Sequence, residues 1–206
     1  MESKTVQMIF VALGAVGMIG VIICCSLPEW IVGHVSDMKF HQGLWMACVT
    51  YRTLPQVCGA IPYTMIPSEM EACKALTVIS CLLCGLSLLL LIFGSDFTPC
   101  VQNQDTKPKM ILAAGVGLIL AGLLVIIPVS LMTNIIRNVP KGMTEGMTEG
   151  MTEGMMVGMM VGMMVGASIY IGFIAGLMLM LIGGLLCYFS RSRGEGGTVS
   201  FFSNRA

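Results

Sequence analysis

The chain has 206 residues, of which 56% are hydrophobic and 11% charged, and its eleven basic and eleven acidic side chains cancel. Soluble domains carry about 25% charged residues, so a chain this apolar belongs in lipid, and without a basic cluster it offers nothing to neutralise nucleic-acid phosphates. Enzyme and transporter are excluded by the same scarcity: no paired carboxylates, no Ser/His/Asp set, no metal or cofactor constellation, and no ionisable residue deep in an apolar stretch.

A bilayer core about 30 Å thick needs about 20 apolar residues per helical span. Residues 8–27, 74–94, 110–136 and 162–189 meet that requirement. The first run outlasts the 7–15-residue core of a signal peptide, and the SLPEW that follows is a poor small-x-small cleavage site, so it is read as an uncleaved span. Four spans place both termini (the tail being residues 190–206) on one side with the connection 95–109, and the longer segments 28–73 and 137–161 on the other. Lys4, Lys107, Lys109, Arg191, Arg193 and Arg205 fall in the shorter set, against Lys39, Arg52, Lys74, Arg137 and Lys141 in the longer one. That density assigns the termini to the cytoplasm and the two long segments to the outside.

The first outer segment, 28–73, contains GLWMACVTYRTLPQVC. Of nine cysteines, Cys24, Cys25, Cys81, Cys84 and Cys187 fall in or at the edge of spans, Cys73 at the mouth of the second and Cys100 in the middle connection. Only Cys48 and Cys58 lie well inside an outer segment, and an isolated pair in an oxidising compartment reads as a disulfide. Between them, β-branched and aromatic residues flank a central Leu-Pro, the pattern of a short hairpin. Trp30 and Trp45, the only tryptophans, both lie here, where an apolar ring with a wet N–H suits the bilayer surface. His34 and His41 lack carboxylate or free-thiol neighbours in the sequence and are expected as solvated loop residues rather than metal ligands. The segment contains no N-x-S/T sequon, so N-glycosylation is not expected. Cys100 and Cys187, near the cytoplasmic side, are candidates for palmitoylation.

Trp30, Gly43-Leu44-Trp45, Cys48 and Cys58, in that order, resemble the signature of the claudin family, the four-span strand-forming proteins of tight junctions. EACKALTVIS (71–80) is similar to the family's approach to its second span, DTKPKMILAAG (105–115) to the run into its third, VIIPVS (125–130) to its end, and GASIYIGF (166–173) to the start of its fourth. The Trp and Cys signature is shared with the peripheral myelin and calcium-channel γ-subunit groups; the later segments point to claudins.

The resemblance implies one domain, a left-handed bundle of four transmembrane helices carrying a small extracellular antiparallel β-sheet. It implies a disulfide between Cys48 and Cys58, and a sheet seated on the membrane by Trp30, Gly43, Leu44 and Trp45. The family usually has Arg at the outer end of the second span, where this chain has Lys74, a point ammonium without a bidentate fork. Charges on the first outer segment select ions by sign in the family. Those available here are Glu29, Asp37, Lys39, Arg52, Glu69 and Glu71, while Gly59, after the second cysteine, is neutral. The implied function is cell–cell adhesion and control of paracellular ion permeability at tight junctions of the plasma membrane, by polymers of this chain with itself and other claudins in the same and opposing membranes. The alternative is a claudin-related accessory subunit or adhesion protein that forms no strands. Three departures bear on that choice. The interval from Trp30 to Gly43 is short, which suggests a trimmed first hairpin. The tail FFSNRA lacks the hydrophobic C-terminal pair that a PDZ scaffold grips.

The third departure is a repeat: residues 143–166 read MTEG three times and then MMVG three times. In water a helix-interior glycine costs about 0.8–1.0 kcal/mol relative to alanine, and Glu145, Glu149 and Glu153 would repel at i, i+4, so the MTEG half is expected to stay a loop. The MMVG half runs into the fourth span, and as one helix residues 155–189 would reach about 52 Å. That overshoots a bilayer core by about 20 Å, so either the helix projects outward or its first units lie on the membrane surface. A neutral tandem expansion is the preferred account. Span glycines such as Gly14, Gly17, Gly115, Gly117, Gly172 and Gly176 are expected to serve helix packing within the chain.

Overall fold

The computed structural model describes residues 2–35, 38–51, 55–60, 68–95, 107–138 and 163–202. Four helices, α1 (Glu2–Ser26), α2 (Ser68–Gly94), α3 (Lys107–Asn138) and α4 (Ala167–Phe202), accompany five strands. Within the helices, Lys4–Ser26, Glu69–Gly94, Lys107–Arg137 and Ala167–Arg191 are each long and apolar enough to cross a membrane. They are apolar all round: Val16, Leu82, Leu120 and Leu181 face outward as openly as Val21, Leu91, Leu118 and Leu179 face inward. Lipid supplies that outer environment, so burial of apolar area does not hold the helices together; close packing of small residues does.

The helices neighbour one another in chain order, and α4 closes the ring against α1. The α3–α4 contact rests on two glycine pairs. A Cβ on Gly122 would lie 2.6 Å from the carbonyl oxygen of Gly176, and one on Gly183 would lie 2.5 Å from that of Gly115. On α1, Gly14 receives Leu88 of α2, while Gly17 and Gly20 receive Leu179 and Ala175 of α4. Gly117 abuts Ser87, and Gly172 abuts Cys24 and Val129. These span glycines thus serve packing inside the chain. Two hydroxyls add hydrogen bonds between helices: Ser80 Oγ donates to the Ala121 carbonyl at 2.7 Å and Ser190 Oγ to that of Pro108 at 2.8 Å.

The strands β1 (Ile31–Val35), β2 (Met38–Gln42), β3 (Met46–Tyr51), β4 (Val57–Ala60) and β5 (Met163–Val165) form one antiparallel sheet in the order β4-β3-β2-β1-β5. Its register fixes two alternating sets of side chains. One cross-strand row runs Cys58, Cys48, His41, Val32, Met164; the next runs Gly59, Ala47, Gln42, Ile31, Val165. The second row meets the bundle through buried Ile31 and through Val165, which packs against the core.

The last MMVG unit departs from the expected apolar continuity. Residues 163–165 are a strand, and the fourth helix begins only at Ala167. The reason lies at Gly166, whose N–H donates to the Trp30 carbonyl at 3.1 Å, while a Cβ there would overlap the Glu29 carbonyl oxygen. Ser168 N–H then donates to that same oxygen at 3.2 Å, so the chain turns from sheet into helix against the backbone of residues 29 and 30. The rest of the repeat, with the expected MTEG loop, lies outside the described residues, as do Asp37, Arg52, Cys100 and the end of the tail.

Candidate functional site: the sheet seated on the bundle

A helix ends with four carbonyls that lack partners within it. At the end of α1, three successive ones are met from three places in the chain. Leu27 N–H donates to Ile23 at 3.0 Å, the Trp30 indole to Cys24 at 2.8 Å, and the Trp45 indole to Cys25 at 3.0 Å. The two tryptophans therefore cap the helix that carries the sheet. Trp30 is 1% exposed and belongs to the protein interior, whereas Trp45 is 48% exposed at its rim.

Gly43 and Leu44 complete that seat. Gly43 N–H donates to the Met46 carbonyl at 2.9 Å, and a Cβ would stand 2.5 Å from Pro28 Cα. Only glycine lets the strand connection lie on the chain leaving α1. Leu44 is fully buried within the main apolar cluster. In Gly-Leu-Trp, then, the first residue permits the approach, the second fills the space beneath, and the third caps the helix.

Cys48 and Cys58 stand directly opposite each other on β3 and β4 and are bonded, with S–S 2.03 Å and Cα–Cα 4.0 Å. Closing a loop of this size restrains the unfolded chain by about 3 kcal/mol in the chain-entropy picture. β4 needs that clamp, because it is an edge strand of four residues, all exposed. On the same face, His34 is exposed opposite Lys39 on β2, itself exposed. His41 differs from the expectation of a solvated residue: it is half-buried, and its Nδ1 is enclosed with no hydrogen-bond partner.

Lys74, on α2, reaches the sheet through Trp45, with Nζ 5.8 Å from the ring centroid. A cation over an indole face is worth about 0.5–1 kcal/mol at an exposed site. Beside it, Gln42 Nε2 donates to the sulfur of buried Met70 at 3.3 Å, a second link between sheet and α2. Neither partner choice is legible from spacing. Glu69 and Glu71 are exposed in the first turn of α2, where the helix dipole favours acids. Glu29 is half-buried, and its backbone serves the corner at Gly166. Cys187, a palmitoylation candidate, turns its sulfur toward α3, 4.0 Å from the Leu112 carbonyl. Among the described residues no three His, Cys, Asp or Glu side chains gather where a metal ion would fit.

Comparison with known proteins bears on the whole arrangement. The model of the PMP-22/EMP/MP20/Claudin family matches residues 4–187. The chain is similar to human (Homo sapiens) Claudin-4, with 34% identity over 194 residues covering 91% of this chain and 87% of that protein. It is similar to the Claudin-like protein ZF-A89 of Danio rerio at 30% over 91% of this chain and 88% of that one. Human Claudin-9 is 36% identical over a shorter stretch, 63% of each chain. With four membrane-length helices, a five-stranded antiparallel sheet and a disulfide within that match, the chain belongs to the claudin family.

Proposed function

We propose that this chain is a structural, non-catalytic component of tight junctions, which polymerises side by side in the plasma membrane and pairs with claudins of the opposing cell to control paracellular ion passage. Both termini face the cytoplasm in this reading, and the sheet faces the space between cells. The observation that supports it most is the fixed seat of the sheet, with two indoles on the end of α1, a buried leucine in the apolar core and a cation stack from α2. A protein that exerts force or selects ions between membranes needs its outer part held at a set angle to the bundle, and a sheet on a flexible tether would not provide that. The charges offered to passing ions are Glu29, Lys39, Glu69 and Glu71 of the described residues, with Asp37 and Arg52. Val49 and Gly59, which directly follow the two cysteines, are neutral.

The test is strand formation in a cell that makes no claudins of its own. Expressed there, the chain yields continuous intramembrane strands at contacts between cells by freeze-fracture electron microscopy. Chain at the surface as scattered particles, with no strands, would overturn polymerisation and leave the accessory-subunit role.

A further inference from the structure

The two ends of the disulfide have different surroundings. Cys48, on the inner strand β3, is 1% exposed, whereas Cys58, on the edge strand β4, is open to solvent. Past Cys48 in the same cross-strand row comes His41 of β2, while past Cys58 no further strand among the described residues pairs with β4. We propose that this bond is an exchange site for small thiols, in which the incoming sulfur attacks Cys58 and Cys48 leaves as a thiolate held by His41.

A thiolate opens a disulfide by displacing one sulfur from the other, and it approaches the sulfur under attack from the side opposite the one that leaves. The bond crosses from β3 to β4, so approach to Cys58 comes from beyond the open edge of the sheet. Approach to Cys48 would have to come through β2, where His41 stands. Strand order therefore offers an outside reagent one of the two sulfurs. The bond between the cysteines breaks as a bond forms between the reagent's sulfur and that of Cys58, and the electron pair leaves with Cys48. No outside oxidant or reductant is consumed, and the Cys48 thiolate can reverse the step by expelling the reagent.

A sulfur whose thiolate is stabilised leaves faster. His41 pairs directly with Cys48, which places the two side chains on one face with Cβ atoms about 4.5–5.5 Å apart. Nδ1 lies two bonds beyond its own Cβ and the sulfur one bond beyond its own, which brings the nitrogen within hydrogen-bonding reach of the sulfur. That nitrogen is enclosed and has no partner in the closed disulfide. A neutral disulfide sulfur offers it little, whereas a thiolate accepts a charge-assisted hydrogen bond from Nδ1–H. Opening the bond thus supplies a partner that a buried polar atom otherwise lacks. Lys39, two residues along β2 on the same face, adds a positive charge, and the described strands hold no carboxylate to oppose it. The product carries the reagent on Cys58 at the sheet edge, with β4 joined to β3 by backbone pairing alone.

The probe is reduced glutathione. Full-length protein in lipid nanodiscs is first treated with N-ethylmaleimide to block free thiols, then exposed to glutathione, quenched in acid, alkylated with iodoacetamide and read by mass spectrometry. We expect glutathione on Cys58 and the iodoacetamide label on Cys48. In the chain unfolded by denaturant, where no strand shields Cys48, both sulfurs should take glutathione. His41→Phe keeps a ring and removes the donor, so it should slow adduct formation about tenfold. His41→Asn, whose amide N–H sits close to the position of Nδ1, should restore most of the rate, which a merely space-filling role for His41 would not predict. Glutathione on Cys48 of the folded protein, or a bond that yields no adduct at Cys58, overturns the proposal. Equal rates in the three chains overturn the part given to His41. Should His41→Phe fail to fold, the position of the adduct in the parent chain decides alone.

Discussion

The indole N–H of Trp30 donates to the carbonyl oxygen of Cys24 at 2.8 Å, six residues back, inside a site from which water is excluded. A side chain of the segment between α1 and α2 thereby ends the first membrane helix. A buried acceptor left without its donor costs about 1–3 kcal/mol. Trp30→Phe keeps most of the ring and removes only the donor, so it is expected to destabilise the detergent-solubilised protein by about that amount in thermal unfolding. Trp45→Phe loses the equivalent bond to Cys25 at a half-exposed position, where water replaces it, and should cost less than Trp30→Phe. The reverse order would contradict the capping account.

The disulfide gives a second expectation. Cys48→Ser with Cys58→Ser removes the clamp on an edge strand without leaving a lone thiol, and the loss should be about 3 kcal/mol. Non-reducing electrophoresis with thiol labelling would confirm the bond in the parent chain. Unfolding by heat with and without reductant would measure its worth.

Glycines in the spans separate into two kinds, which makes a paired test possible. Gly122→Ala and Gly176→Ala press a methyl onto a facing backbone and should weaken the α3–α4 contact, lowering the melting temperature. Gly184 has open space around it, so Gly184→Ala should be neutral or stabilise by up to about 1 kcal/mol. Equal effects at the three sites would argue that the glycines do not set helix distance.

Lys74 and Trp45 should couple. In a double-mutant cycle with Lys74→Gln and Trp45→Leu, the interaction energy is expected at about 0.5–1 kcal/mol. Lys74→Arg, whose plane stacks on the indole, should preserve or exceed it. Independent, additive losses would mean that the 5.8 Å approach contributes nothing.

Much of this architecture is visible in the sequence because it depends on composition and local pattern. Apolar runs of membrane length mark the four helices, and Cys48, Leu54-Pro55 and Cys58 between β-favouring residues mark the hairpin of β3 and β4. The rest depends on contacts between distant parts of the chain. Met163-Met164-Val165 carries no local preference that separates strand from helix, and the Glu29 carbonyl that requires glycine at 166 lies far away in the sequence. Likewise, residue type points both tryptophans to the bilayer surface, yet Trp30 lies in the protein interior, and that both serve carbonyls of one helix end cannot be read from the sequence. His41 shows the converse, a residue whose sequence neighbours suggest solvent and whose strand pairing encloses it.

The central claim is that a rigidly seated sheet on a claudin bundle governs ion passage between cells. Its most direct test is conductance and dilution potential across an epithelial monolayer stripped of its own claudins, expressing either this chain or its Cys48→Ser variant. We predict that the parent chain changes conductance and sets a dilution potential of definite sign, and that the variant at equal surface level does neither. A parent chain that reaches the contacts between cells and alters neither quantity would contradict the account.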